Sequence, residues 1–227
     1  MRPSDPTILA FDTSAAHCAA AVLCGGTIRA ARTALMARGQ AEHLMPMLED
    51  LLAGQGLAWR DLAAVAVGTG PGNFTGIRIA VAAARGLALG LGVPAVGVSL
   101  FEVLLSQAPS VSGDVVVSLE APRGAAYVLR CRDGQPVAAP RLIDPAAPPD
   151  DMALARDTLV LGWRAAEIAR PWAAMARDAM PTDLPERIAL CAAGRLARAT
   201  DLPRPAPLYV RPADAAPPSS PPPVILP

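Results

Sequence analysis

The chain has 227 residues, of which 52% are hydrophobic, so it can bury a core as one large domain or two small ones. Basic and acidic residues balance at 20 each without a dense basic run, which argues against a protein that grips nucleic acid on its own. The four cysteines form no CxxC pair and show no metal-ligand spacing, and residues 1–7 lack an apolar signal-peptide core, so we expect reduced thiols in a cytoplasmic protein.

The first hundred residues predict a hairpin followed by alternating helices and strands. Apolar runs predict strands over 7–11, 17–23 and 28–35, a helix over 40–52, a strand over 63–67, a helix over 77–91, a strand over 93–98 and a helix from 99 to 105. Pro46 lies inside the first helical pattern and predicts that the first turn ends or kinks there. This order indicates an α/β fold with a mixed sheet, and two stretches that lack charge, 13–28 and 86–101, are too interrupted to predict a membrane span.

Turn-forming residues at 109–113 predict a domain boundary. We therefore divide the chain into an N-terminal subdomain (1–107), a shorter C-terminal subdomain (108–211) and a proline-rich tail (212–227) that we expect to be disordered. The C-terminal subdomain is predicted to contain strands over 115–119, 126–131 and 158–162, a loop over 136–149 and an amphipathic helix over 186–200.

The strongest local motif is the glycine-rich run GTGPGNFTG at residues 68–76. A strand, a glycine-rich turn and a helix N-terminus can present backbone N–H groups to an anion. No Lys-Ser/Thr pair follows the glycines, so this is not a Walker A loop. The residues by themselves favour a tight connection that lets the helix pack close to the sheet, with Asn73 or Thr75 as its cap.

The run from residue 70 to 104, GPGNFTGIRIAVAAARGLALGLGVPAVGVSLFEVL, resembles the hallmark of the TsaB (YeaZ) family, GPGSFTGLRIG followed by a KGLA-like segment and VSSLEAL. Four shorter segments resemble family motifs in the same order: ILAFDTS, EHLMPMLEDLL, EAPRGAAYV and PLYVRPADA. The resemblance covers the chain except for its first residues and its tail. It implies an actin-like ATPase fold with two subdomains built on mixed sheets, the second one shortened.

Family membership also implies a function. Members pair with the catalytic paralogue TsaD, or form homodimers through the same surface, and TsaE is an ATP-binding partner of the complex. TsaD transfers a threonylcarbamoyl group to an adenosine beside the anticodon of tRNA. The resemblance implies a subunit without catalytic residues that meets tRNA only through the complex, while ATP/ADP and metal belong to partner subunits or to a shared interface.

The two helices of the N-terminal subdomain are the candidate partner interface. Small residues allow a second backbone to approach closely, and methionines adapt to varied surfaces. The candidate residues are His43, Met45, Met47, Phe74, Thr75, Gly76, Arg78, Ala80, Ala83 and Ala84. Arg78 could contact a carboxylate or a phosphate there. A helix pair that is wholly internal to one subunit is the alternative from the residues alone.

Two polar residues raise catalytic alternatives. Asp12, at the end of the first strand, could organise hydrated magnesium or cap its own turn, and the turn is favoured because no second phosphate hairpin is evident. His43 lacks the second histidine of an HxxxH pair, since His17 is the other histidine of the chain. An autonomous actin-like ATPase or kinase and a glycoprotease-like metallopeptidase therefore remain as rival functions. A titration with magnesium-ATP and a chelator-sensitive cleavage assay would test them.

Overall fold

The computed structural model describes residues 6–108, 113–198 and 202–210. Within these residues, helices flank two mixed β-sheets. The first sheet contains β1 (Ile8–Asp12), β2 (His17–Cys24), β3 (Thr27–Leu35), β4 (Ala64–Gly68) and β5 (Ala95–Val98), and the second contains β6 (Asp114–Glu120), β7 (Ala126–Arg132), β8 (Gln135–Pro136), β9 (Arg141–Ile143), β10 (Leu159–Gly162) and β11 (Met175–Asp178). The α-helices are α1 (Gln40–Ala53), α2 (Phe74–Leu91), α3 (Leu100–Ser106), α4 (Ala165–Ala169) and α5 (Leu184–Arg198).

The first sheet has the order β3-β2-β1-β4-β5. The hairpin strands β1, β2 and β3 are antiparallel, whereas β1, β4 and β5 run parallel. β1 and β4 are buried along their whole length, as expected for apolar strands that are covered on both faces. Phe11 of β1 packs under α1 and α2 on one face, and Ile8 packs under α5 on the other.

The second sheet has the order β11-β10-β6-β7-β8, and β9 also pairs with β7. Its strands β6, β10 and β11 are parallel, and β7 is antiparallel to β6. Phe101 and Leu104 of α3 cover one face, and Ile168 of α4 covers the other. The second sheet therefore has its own core beside that of the first.

Contacts between helices α3 and α5 connect the two sheets, because α3 packs on the second sheet and α5 packs on the first. Glu102 of α3 accepts a hydrogen bond from the backbone N–H of Ser99 at 2.9 Å and pairs with Arg195 of α5, which also donates to the carbonyl of Gly97. The apolar side of α5 packs on the first sheet. A helix from the predicted C-terminal subdomain, 108–211, thus covers the first sheet, which an amphipathic pattern does not reveal. The division of the chain at 107/108 stays a prediction. The predicted tail, 212–227, lies outside the described residues.

The predicted strands and helices are present, with differences at a few places. α1 does not end at Pro46 but continues to Ala53, and the buried side chains of Leu44 and Met47 hold the helix on the sheet on both sides of this residue. The loop predicted over 136–149 contains β9, and α4 and β11 were not predicted at all. These elements have three to five residues, and β11 is exposed throughout, so no apolar alternation marks it.

Helix α2 also has the length and apolar composition of a membrane-spanning segment, which the sequence did not predict among its candidate spans. Of the described residues, only this helix passes that test. Its buried side packs along β4 within the first core. Length and composition are therefore weak evidence for a membrane span here.

Candidate functional site

The glycine-rich loop between β4 and α2 lies against the turn that follows β1. Because β1 and β4 are parallel neighbours, their carboxyl ends meet at one edge of the sheet. The Thr13 hydroxyl donates a hydrogen bond to the carbonyl of Gly76 at 2.7 Å, and the N–H of Asn73 donates to the carbonyl of Ser14 at 2.6 Å. Two hydrogen bonds therefore hold the end of the loop and the first turn of α2 against the turn that follows β1.

Glycines make this close approach possible. A Cβ on Gly68 would overlap the carboxylate of Asp12, and a Cβ on Gly76 would overlap the carbonyl oxygen of Thr13. Gly70 has a φ of 88°, a left-handed conformation that glycine adopts without strain. The tight connection that the sequence favoured for this loop is what the structure contains.

Asn73 starts α2. Its side-chain oxygen accepts hydrogen bonds from the N–H groups of Thr75 at 3.0 Å and Gly76 at 3.2 Å. These are N–H groups that have no partner within the helix, so the cap stabilises the first turn. The helix consequently begins at Phe74, one turn before the predicted start at residue 77.

Asp12 is fully buried at the centre of this turn. Its Oδ1 accepts from the N–H and the hydroxyl of Ser14 and lies near Nε2 of His17, each at 2.8 Å. Its Oδ2 faces Gly68 and has no hydrogen-bond partner among the described residues. Hydrated magnesium needs an accessible carboxylate oxygen, so Asp12 does not fit that role in this arrangement and instead organises its own turn.

Burial also changes the pKa of a thiol near Asp12, that of Cys18. Cys18 follows the turn on β2 and is fully buried in the core under α1 and α2. Burial, assisted by the negative charge of Asp12, raises the pKa of the Cys18 thiol from its ordinary value of 9.0 to about 11. The thiol is therefore protonated and unreactive at neutral pH.

The opposite side of α2 is open to solvent. Phe74 is 36% exposed, and the guanidinium carbon of Arg78 lies 3.7 Å from the centroid of its ring. Tyr209, from the last described segment, stacks on Phe74 with 4.9 Å between ring centroids and accepts a hydrogen bond from Nε of Arg78 at 2.7 Å. These three side chains form an exposed cluster of two aromatic rings and one cation.

The exposed face continues along the helix. We define the outer face of α2 as its exposed residues together with Tyr209. Its members are Phe74, Thr75, Arg78, Ala82, Arg85, Gly86, Leu89, Gly90 and Tyr209. Leu89 is 85% exposed, and α2 contains no acidic residue. The outer face is thus apolar with positive charge, a composition that is common in protein interfaces.

The structure separates the predicted interface residues into three groups. Phe74, Thr75 and Arg78 are exposed, while His43, Met45 and Ala83 are half-buried. Met47, Gly76, Ala80 and Ala84 are buried inside the chain, so they are not part of its exposed surface. Small residues recur at helical spacing on both faces of α2, and only those of the inner face fit against the sheet.

The predicted interface lacks six members of the outer face, among them Ala82, Leu89 and Tyr209. The first two share a helix face with Phe74 and Arg78, since residues three or four apart lie on one side of a helix. A helical projection of α2 would therefore have found them. Nothing local in the sequence places Tyr209 there, because it contacts Arg78 across 131 positions of the chain.

Half-buried His43 has a buried Nε2 without a hydrogen-bond partner among the described residues. Among the residues that the structure describes, no group of three His, Cys, Asp or Glu side chains is placed so that it could hold a metal ion. His43 therefore gains no co-ligands from the fold.

Comparison with known proteins gives matches over different parts of the chain. Residues 34–153 match the family model described as "TsaD: tRNA N6-adenosine threonylcarbamoyltransferase". The chain is 37% identical over 122 residues to the tRNA threonylcarbamoyladenosine biosynthesis protein TsaB of Escherichia coli, and 34% identical over 121 residues to TsaB of Bacillus subtilis. The matched segments cover 53% of this chain and 52% and 53% of those relatives, so the chain spans about half the length of the curated relatives it matches.

Solved structures match over more of the chain. YeaZ from Pseudomonas aeruginosa is 29% identical with a TM-score of 0.66, covering 90% of this chain and 99% of that one. A second structure from the same organism, described as an uncharacterized protein with similarity to peptidase YEAZ, is 28% identical with a TM-score of 0.67, covering 91% of this chain and all of that one. The two mixed sheets and these likenesses confirm the actin-like ATPase fold that the sequence resemblance implied.

Proposed function

Because the chain belongs to the TsaB (YeaZ) family, we propose that it is the non-catalytic subunit that binds and activates TsaD in the complex forming N6-threonylcarbamoyladenosine next to the anticodon of tRNA. In this proposal TsaD performs the transfer, and TsaE is a further partner. ATP/ADP and metal belong to the partner subunits or to a shared interface. The chain works in the cytoplasm and reaches tRNA only through the complex.

The outer face of α2 is the observation that carries this proposal. It exposes Phe74, Leu89 and Tyr209 beside Arg78, and aromatic residues and arginine are the side chains that contribute most to binding in protein interfaces. When a partner covers an exposed apolar face of this kind, the burial of apolar surface stabilises the complex. The match to the TsaD family model supports a partner that is built on the same fold.

A second observation supports a role without chemistry of its own. The carboxylate at the end of β1, Asp12, is buried and engaged by Ser14 and His17. Activation would then act through binding, with the chain favouring one conformation of TsaD over another, because a ligand shifts an equilibrium only by its difference in affinity for the two states. Tight stoichiometric binding of magnesium-ATP to the isolated chain would contradict this role.

The same face explains the expected behaviour of the isolated chain. Without TsaD, two copies would cover their outer faces against each other and form a homodimer. Addition of TsaD should then replace the homodimer with a heterodimer, because both use one surface. Light scattering after size-exclusion chromatography would follow this exchange.

An exposed alanine offers a direct test. Ala82 lies on the outer face between Arg78 and Arg85, so Ala82→Glu should leave the fold intact while it adds a bulky acid within reach of both arginines and changes the shape and the charge of the interface. We expect affinity for TsaD to fall at least about 30-fold, with a parallel loss of tRNA modification. Calorimetric titration and a reconstituted modification assay would measure both.

Ala197 supplies the matched control. It is an exposed alanine on α5, on the other side of the first sheet, so Ala197→Glu should bind and activate TsaD like the natural chain. The chain without TsaD should produce no modified tRNA. Unchanged binding by Ala82→Glu, or modification by this chain alone, would each contradict the proposal.

A further inference from the structure

The last described segment of the chain, residues 202–210, forms a strap across the first sheet and α2. Pro205 is buried and lies beside Gly97 on β5, and the N–H of Leu208 donates to the carbonyl of Thr69 at 2.8 Å. Tyr209 then reaches the first turns of α2. The strap therefore connects the C-terminal part of the chain to the glycine-rich loop and to the outer face.

Tyr209 fixes the side chain of Arg78 from two directions. Its hydroxyl accepts a hydrogen bond from Nε at 2.7 Å, and its ring holds Phe74, on which the guanidinium lies at 3.7 Å. An exposed arginine otherwise samples many rotamers, and ordering its side chain on binding costs conformational entropy. The contacts with Tyr209 and Phe74 provide much of that order before a partner arrives.

The ordered guanidinium retains unused donors. Nε is engaged by Tyr209, whereas the terminal nitrogens of Arg78 make no hydrogen bond or ion pair with the described residues. A guanidinium held in this way presents a planar fork that matches a carboxylate with two parallel hydrogen bonds. The outer face carries Arg78 and Arg85 and no acid, so charge complementarity favours an acidic side chain on the partner.

We propose that Tyr209 is a positioning residue that orients Arg78 to bind an Asp or Glu carboxylate of the partner subunit. This inference rests on the proposed function, because it assigns a role within the same surface. It adds the strap, residues 202–210, to that surface, so segments that are far apart in the sequence build one binding site. A phosphate as the occupant is the alternative that the test separates.

A double-mutant cycle tests the coupling between the two residues. Tyr209→Phe keeps the ring and removes the hydroxyl, and Arg78→Met keeps an unbranched apolar stem and removes the charged guanidinium. We expect Tyr209→Phe to weaken binding to TsaD about two- to tenfold and Arg78→Met to weaken it more. In the Arg78→Met background, Tyr209→Phe should have little further effect, because its target is absent.

Salt dependence provides a readout that a purely structural role would not change. The affinity of the natural chain should fall as salt is added, and this dependence should be smaller for Arg78→Met. Thermal unfolding of each variant would confirm that it folds. Leu190→Ala, which truncates an exposed apolar residue on α5, serves as the control and should bind normally.

The outcomes distinguish the inference from the proposed function. If the natural chain fails to bind TsaD, the proposed function is wrong. If the natural chain binds and Tyr209→Phe binds equally well, or weakens binding as much without Arg78 as with it, the inference alone is overturned. A loss of tRNA affinity in Arg78→Met complexes whose subunits still bind each other normally would assign Arg78 to a phosphate and also overturn it.

Discussion

The inner and outer faces of helix α2 are built from similar residues and behave in opposite ways. On the inner face, Gly76, Ala80 and Ala84 are buried, and Gly76 touches the turn after β1. On the outer face, Ala82 is exposed, and a Cβ added to Gly86 would meet no atom within 4 Å. The comparison teaches that a small residue on this helix serves close packing within the chain on one side and leaves room for another molecule on the other.

The largest predicted effect comes from the inner face. Gly76→Ala would drive a methyl group into the backbone carbonyl of Thr13, which cannot move without breaking the hydrogen bond between the Thr13 hydroxyl and the Gly76 carbonyl. We expect a loss of about 3 kcal/mol or more in the free energy of unfolding. Chemical denaturation followed by circular dichroism would measure it.

A normal unfolding free energy for Gly76→Ala would show that the loop can separate from the turn at little cost. The inner face would then be adaptable, and its contrast with the outer face would disappear. Gly194→Ala, in the middle of α5, is the control, since the new methyl group there meets only the flexible side chain of Arg198 at ordinary distance.

A smaller effect is expected from pH, because it comes from a single thiol beneath the inner face. Burial raises the pKa of Cys18 from 9.0 to about 11, so the unfolded chain loses this proton at a lower pH than the folded chain does. The contribution of the protonated thiol is therefore complete below about pH 9 and disappears as the pH rises through 11. The stability difference between the natural chain and Cys18→Ala should shift against the natural chain over this range.

The chain contains no lysine, which simplifies this measurement because lysine would titrate in the same range. Thermal unfolding of both proteins at intervals from pH 8 to 11 would follow the difference. A difference that stays constant with pH would show that solvent reaches the thiol, and thus that the core under α2 is more open than the inner face indicates.

The sequence predicts more of the fold than of the site. Apolar periodicity is a local property, so it locates β1, β4, α1 and α2. The sequence leaves Asn73 and Thr75 as alternative caps of α2, and the structure uses Asn73. The burial of Ala80 and Ala84 depends on which way α2 faces, and a stripe of small residues does not decide that. The place of Tyr209 depends on a contact over 131 positions, which no local pattern encodes.

The smallest predicted effect separates stability from binding on the outer face. Gly86 lies in the middle of α2 with open space around it, so Gly86→Ala should stabilise the folded chain by about 0.5–1 kcal/mol through helix propensity. If a partner backbone approaches this position closely, the same methyl group should weaken binding to TsaD by at least about fivefold. Gly194→Ala should raise stability similarly and leave binding unchanged, because α5 lies on the opposite face of the first sheet. A Gly86→Ala variant that is both more stable and equally tight in binding would place the partner away from the middle of α2 and confine the interface to the cluster around Phe74.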